Sequence, residues 1–223
     1  MAQEFSVNLG GEDGSLSARA LQLIALITVL SLAPGLAIMI TCFPFVVTVL
    51  SILRQAIGLQ QAPPNMLIIS LALFLTYFVM EPVFLKAWED GLRPLSEGTT
   101  SIEDAFAPTL APFRTFMAAR LDMDTFSALL QLRPLPADVS PDQAPLSLLI
   151  PSFMLSEVER AFQIGFLIFL PFLIIDLVVA AVLMSMGMMM VPPAIVALPF
   201  KLAFFAVADG WSLIANALIR SYF

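Results

Sequence analysis

Long stretches without a charged residue constrain this chain more than any other feature of its sequence. Residues 20–53 and 55–80 carry no charge at all, and residues 161–200 carry one, Asp176. A helix that crosses a bilayer needs about 20 mostly apolar residues, so each stretch is long enough to hold at least one. The sequence therefore predicts an integral membrane protein with about four helices. Hydropathy alone leaves open whether lipid or other protein surrounds them.

The remaining composition excludes several classes of function. A formal net charge of −7 argues against a nucleic-acid-binding protein, which would show a basic face. The chain has no histidine, and Cys42 is its only cysteine, so the common zinc and copper sites and an intrachain disulfide are absent. It also has no glycine-rich phosphate loop and no nucleophile elbow. We therefore expect no cofactor, no metal site and no enzymatic activity.

The chain divides by composition into four segments. Residues 1–19 form a polar N-terminal segment, and residues 20–86 an apolar first helical hairpin whose best spanning candidate is residues 64–86. Residues 87–155 are acidic and proline-rich, which predicts a helical insertion outside the membrane, and residues 156–223 form a second hairpin. Because no run alternates apolar and polar residues over the length of a strand, the expected class is all-α. The polar start is expected to follow a removed signal peptide, with an initiator methionine added.

Prolines and capping residues indicate where the helices begin and bend. Within the insertion, helix starts are expected at Ser101, Pro112 and Asp124. In the second hairpin, Pro171 and Pro199 are expected to kink their helices, because proline lacks a backbone donor. The predicted architecture is therefore a pair of kinked helical hairpins with a small helical insertion.

Two turns share one skeleton, a glycine followed after four residues by two prolines. The shared residues are Gly58, Pro63 and Pro64 in the first turn, and Gly187, Pro192 and Pro193 in the second. Either the match is chance or it marks a structural repeat, in which case the hairpins run parallel with both tips on one side. Arg54 flanks the first tip and the acidic insertion lies opposite, which favours cytoplasmic tips and an external insertion.

The second turn also carries three consecutive methionines, Met188, Met189 and Met190. Methionine often fills irregular gaps in a core. Three in a row cannot all face one side of a helix, however, and their position at a turn suits a soft apolar collar that closes a pore by excluding water. From the residues alone, both interpretations stand.

A few polar residues lie within the apolar segments. An acid as deep as Asp176 is costly unless it is paired or protonated, so it marks either a proton relay or a contact with a neighbouring helix or subunit. Lys201 is a candidate partner for Asp176, whereas Lys201 and Asp209 are too far apart on one helix to pair. We expect contacts between helices or subunits from Asp176, Lys201, Asp209 and Gln163.

Several ordered motifs together resemble the FliP/SctR family of type III secretion export-gate proteins. The resemblance covers about residues 20–223, is densest from residue 156 onward, and favours the flagellar branch through Val191-Pro192-Pro193. The motifs are Ala161–Phe166, Pro171–Val178, Met186–Pro193, Ala197–Leu202 and Asp209–Trp211, preceded by Ala62–Asn65, Leu71–Thr76 and Pro82.

The resemblance implies a pore-forming subunit of the flagellar export gate, with unfolded flagellar proteins as its substrates. It implies five copies assembled with FliQ and FliR and associated with FlhB, in the bacterial inner membrane and facing the periplasm within the flagellar basal body. It also assigns Met188, Met189 and Met190 to a methionine gasket. The alternative is a secondary transporter or ion channel that acts alone and uses Asp176. A membrane enzyme is disfavoured because no catalytic group of residues is present.

Overall fold

The computed structural model describes residues 23–25, 27–28, 31, 35–59, 63–134, 136, 139–188 and 190–223. Within these residues the regular structure is helical throughout, which confirms the all-α prediction. The chain divides into two compact units at Ile38. The described residues up to Ile38 are exposed and mostly helical; the N-terminal segment 1–19 and Pro34 lie outside the described residues.

The second unit contains all the helices described below. A π-helical turn, Trp88–Leu92, joins the helix Asn65–Ala87 to the short helix Arg93–Ser96 without a break. The helices are α1 (Phe43–Ile57), α2 (Asn65–Ala87), α3 (Arg93–Ser96), α4 (Ile102–Arg120), α5 (Met123–Gln131), α6 (Leu146–Ser185), α7 (Pro193–Val207) and α8 (Gly210–Arg220).

The core is built around α1, which packs along α6. One face of α1 is fully buried and consists of Phe45, Val49, Leu53 and Ala56, residues that recur every three or four positions as a helix face requires. On α6, Gly165 allows α1 to approach closely. A Cβ atom added to Gly165 would lie 2.4 Å from Cδ1 of Ile52.

The two hairpins run in the same direction. Near the start of α1, Phe45 contacts Tyr222, whose hydroxyl bonds to Glu157 early in α6. Near the end of α1, the carbonyl of Ala56 shares Lys201 with Asp176, which lies far along α6. Contacts therefore follow the same order along both helices, and the two hairpin turns lie at the same end of the molecule.

The two turns also share backbone geometry. Gly58 and Gly187 end the first arm of their hairpins with φ of 88° and 76°, a left-handed conformation that glycine adopts without strain. Pro64 precedes α2, and Pro193 lies in the first turn of α7. Both turns thus begin at a left-handed glycine and are followed by a proline at the start of the next helix.

The insertion folds into helices that pack on α2 and α6. Ser101 caps α4 as predicted, since its hydroxyl accepts a hydrogen bond from the Asp104 amide at 3.2 Å. The separate helix start at Pro112 was wrong, because α4 continues through it and loses only one backbone hydrogen bond. The α5 helix begins one residue before Asp124 and is capped by Asp122, whose pKa is lowered by hydrogen bonds from the Thr125 amide and hydroxyl.

The longest helix, α6, has 40 residues and is about 60 Å long at 1.5 Å per residue. It begins at Leu146, ten residues before the predicted start, and continues through Pro151 and Pro171. Its first turns pack on the insertion and its remainder forms the first arm of the second hairpin. The insertion and the second hairpin therefore share one continuous helix.

By length and composition, two continuous helical stretches could cross a membrane, Asn65–Ser96 and Leu146–Ser185. A third span is formed if α7 and α8 are taken together, although they are bent by 61°. The expected count of about four is therefore not reached among the described residues. One reason is that α1 has only 15 residues. This bend lies at the break before Gly210, whereas Pro199 falls inside α7, and the kink at Pro199 stays a prediction.

We predict that Gly165→Ala perturbs the contact between α1 and α6. The added methyl group would clash with Ile52, and such overpacking typically costs about 1–3 kcal/mol, partly offset by about 1 kcal/mol of gained helix propensity. Ile52→Val removes the nearest atom, Cδ1. In that background the cost of Gly165→Ala should fall by about 1 kcal/mol, giving a measurable coupling in a double-mutant cycle of unfolding in mixed micelles. Additive effects would show that the two helices do not meet at this point.

Candidate functional site

The turn between α6 and α7 is closed by its own backbone. The amide of Gly187 donates to the carbonyl of Met184 at 3.1 Å, and the amide of Met188 donates to the carbonyl of Leu183 at 3.0 Å. Two such bonds, donated by a left-handed glycine and by the residue after it, are a common way to end a helix. Because Pro192 and Pro193 then start α7, the residues between glycine and proline form a short, constrained tip.

The described methionines of this tip are not core residues. Met188 is 41% exposed and Met190 is 98% exposed. Met184 and Met186, which precede the glycine, are exposed as well. Met189 lies outside the described residues. Within a single chain, the described side chains of the tip therefore do not fill a gap in the core.

An ion pair lies behind the tip. Lys201 Nζ is 2.6 Å from Asp176 Oδ2 and also donates to the carbonyl of Ala56 at 3.1 Å. The Lys201 side chain is 7% exposed and the Asp176 side chain 33% exposed. The ammonium group thus neutralises an acid within an apolar helix and satisfies a carbonyl at the C-terminal end of α1, where a positive charge is favoured. This is the pairing that the sequence suggested for Asp176.

The lysine of this ion pair joins the two hairpins near their turns through its bond to the carbonyl of Ala56. Ala56 lies two residues before Gly58, and a Cβ atom on Gly58 would lie 3.8 Å from Lys201 Nζ. Lys201 belongs to the second hairpin, eight residues after Pro193. One side chain therefore fixes the position of the first turn relative to the second.

The two other residues that were predicted to make polar contacts are Gln163 and Asp209. Gln163 donates to Glu159 Oε1 at 3.2 Å, a contact within one exposed helical face, and its contact with another helix or subunit stays a prediction. Asp209 is exposed and has φ of 48°, and its carbonyl accepts the first hydrogen bond of α8 from Leu213 at 3.0 Å. Its observed role is to form the bend between α7 and α8.

Sequence reasoning missed a buried polar cluster at the opposite end of the helices. Glu157 is fully buried and accepts hydrogen bonds from Arg120 at 3.1 Å, from Arg160 at 3.4 Å and from the hydroxyl of Tyr222. The only signal in the sequence was the set of charges at 157–160, just before a long apolar run. Nothing in that pattern indicated which acid is buried or which distant residues pair with it.

No cluster of metal-ligating side chains is found in the described part of the chain. The site is therefore an apolar tip with a structural ion pair behind it. Such an arrangement can contact other apolar surfaces and exclude water.

We predict that the ion pair stabilises the hairpins as a unit. Lys201→Met leaves the Asp176 carboxylate and the Ala56 carbonyl without their donor, and breaking a buried pair in this way typically costs about 3–5 kcal/mol. We expect less than the full amount because Asp176 is partly exposed. The double variant Lys201→Met with Asp176→Asn should recover much of the loss in unfolding experiments. The matched control is Lys86→Met, an exposed lysine that should change stability by less than about 0.5 kcal/mol.

Comparisons with known proteins agree with the resemblance found in the motifs. The FliP family model matches residues 26–218. The flagellar biosynthetic protein FliP of Caulobacter vibrioides is 49% identical over 223 residues, which cover 100% of this chain and 84% of that protein. The protein of the same name from Bacillus subtilis is 43% identical over 90% of this chain and 91% of its own length. That from Aquifex aeolicus is 44% identical over 91% of this chain and 86% of its own length. The breadth of these matches shows that the chain belongs to the FliP family of flagellar biosynthetic proteins.

Proposed function

We propose that this chain is a pore-forming core subunit of the flagellar type III export gate, through which unfolded flagellar proteins cross the bacterial inner membrane. The observation that carries the proposal is the exposed methionine tip. Met188 and Met190 project from a turn that glycine and proline hold in shape. An apolar tip of this kind is costly in water and has no partner within the described chain, so it suits a contact with apolar groups of other chains.

The helices behind the tip also leave apolar surface uncovered. Only 11% of the most apolar 18-residue stretch of α6 is buried within this chain, and 33% of that of α2. Large apolar surfaces of this kind must be covered by lipid or by other protein. The family resemblance favours protein, in a homo-oligomer of five copies.

In a ring of copies, the tips would meet around the axis. Methionine side chains are unbranched and adaptable, so a collar of them could close against water and still reshape around a passing chain. Hydrophobic constrictions close pores by dewetting. Met188, Met189 and Met190 would together form the gasket, while Gly187, Pro192 and Pro193 hold the turn.

The Lys201–Asp176 ion pair would hold each methionine tip in a fixed position relative to the first hairpin. Lys201 lies about 12 Å along α7 from Pro193, so it fixes the base of the tip against the first hairpin. An aspartate that is already neutralised by this lysine is poorly suited to bind a transported ion. The neutralisation favours the structural role of Asp176 over the alternative of a transporter or ion channel that acts alone.

The remaining parts of the proposal rest on the family. The partners would be FliQ, FliR and FlhB, together with secreted flagellar proteins as substrates. The chain would reside in the inner membrane within the flagellar basal body. The acidic insertion would face the periplasm and the tips the opposite side, in keeping with Arg54 beside the first tip.

If the three methionines form a gasket, the assembly should leak small solutes when their side chains are shortened. Met188, Met189 and Met190 would be replaced together by alanine, and release of a small polar dye from vesicles that hold the purified assembly would be measured. We expect the rate to rise by about tenfold or more, since lowering a barrier by about 1.4 kcal/mol gives that factor. Assembly size, followed by mass in detergent, should stay unchanged.

The matched control replaces Met123, an exposed methionine in the insertion at the opposite end of the helices, by alanine and should leave the dye release unchanged. An intact assembly that stays tight after the triple replacement would rule out the gasket.

Asp176→Asn tests the alternative of a transporter or ion channel that acts alone. An ion-coupled transporter would lose ion dependence in this variant while the assembly size stayed the same.

A further inference from the structure

The residues that follow α8 place an aromatic ring at the junction of three distant elements. The ring of Tyr222 lies 5.6 Å from that of Phe45 in α1, edge to face, and 6.0 Å from that of Phe116 in α4, stacked. Its hydroxyl donates to Glu157 Oε2 in α6. One side chain outside any helix thus contacts both hairpins' first arms and the insertion.

Arg120 ties the same segment to the insertion. It is the last residue of α4, and its guanidinium carbon lies 4.0 Å from the centre of the Tyr222 ring, a favourable cation–π distance. Its Nη1 donates to the carbonyl of Ser221 at 2.7 Å, and its Nε donates to Glu157 Oε1 at 3.1 Å. The end of α4 is therefore held by the tail segment, defined as Ser221–Phe223, and by α6 together.

Glu157 makes this cluster costly to open. Its carboxylate is fully buried, so each of its oxygens requires a donor. Arg120 and Arg160 serve Oε1, and Tyr222 serves Oε2. Burial and the neighbouring Glu157 carboxylate raise the pKa of the Tyr222 hydroxyl, so this group stays protonated and remains a donor.

We propose that the tail segment is a lock that fastens the acidic insertion to the two hairpins, so that they move as one rigid body. Tyr222 is the positioning residue of the lock, acting through Glu157 and Arg120. The lock lies at the end of the helices opposite the methionine tip. Motions that open or close the tip would then leave the insertion fixed relative to α1 and α6.

The test is amide hydrogen exchange on the full chain purified in detergent. In Tyr222→Ala the exchange rates of residues 116–131, at the end of α4 and in α5, should rise by about tenfold or more, the factor that corresponds to about 1.4 kcal/mol of local opening. Residues 50–58, at the end of α1 near the first turn, should keep their rates. The bond from the amide of Asp122 to Ser156, 2.9 Å long in the native chain, does not involve Tyr222 and should persist in this variant.

Two further variants keep the outcome decisive. Tyr222→Phe removes only the donor to Glu157 and should raise the same rates by a smaller factor, whereas Phe223→Ala changes an exposed neighbour and should raise none. Equal rises over residues 50–58 and 116–131 in Tyr222→Phe would indicate a general loss of stability and overturn the lock, as would unchanged rates in Tyr222→Ala. The measurement involves no export, so its result is separate from that of the vesicle experiment.

Discussion

The close, parallel packing of α1 on α6 is the contact on which the other parts of this structure depend. It is made possible by Gly165, where the absence of a side chain lets Ile52 approach. Because the helices run in the same direction, the two hairpin turns lie at one end and the insertion lies at the other. Every polar contact that joins the hairpins is then positioned by this pair of helices.

The two ends of the pair differ in chemistry. At the turn end, a bond from Lys201 to the carbonyl of Ala56 connects the hairpins, and an ion pair with Asp176 in the second hairpin holds that lysine. The described methionines beyond them are exposed. At the insertion end, a buried glutamate collects two arginines and a tyrosine. A buried polar cluster with several partners resists opening more than a single, partly exposed ion pair does. The geometry thus combines a buried polar cluster at one end with exposed methionine side chains at the other.

The uncovered apolar surface explains why a chain of this kind is suited to an assembly. Only 11% of the most apolar 18-residue stretch of α6 is buried within this chain. Apolar surface left uncovered in this way requires lipid or other protein to supply the missing contacts. The same property explains why the methionine tip, exposed here, is compatible with the proposed gasket, which exists only between copies.

Local patterns in the sequence determined the helical class, the paired glycine–proline turns and the cap at Ser101, because each depends on residues close together in the chain. They failed at Pro112, where packing of α4 against neighbouring helices outweighs the loss of one backbone hydrogen bond. They also failed at the start of α6, which lies ten residues before the predicted one. Charge spacing identified Asp176 and Lys201 as unusual, since an ion in an apolar run needs a partner. Only the tertiary structure decided that Glu157, Arg120 and Tyr222 meet, because Arg120 and Tyr222 are 102 positions apart and no local pattern encodes such a distance.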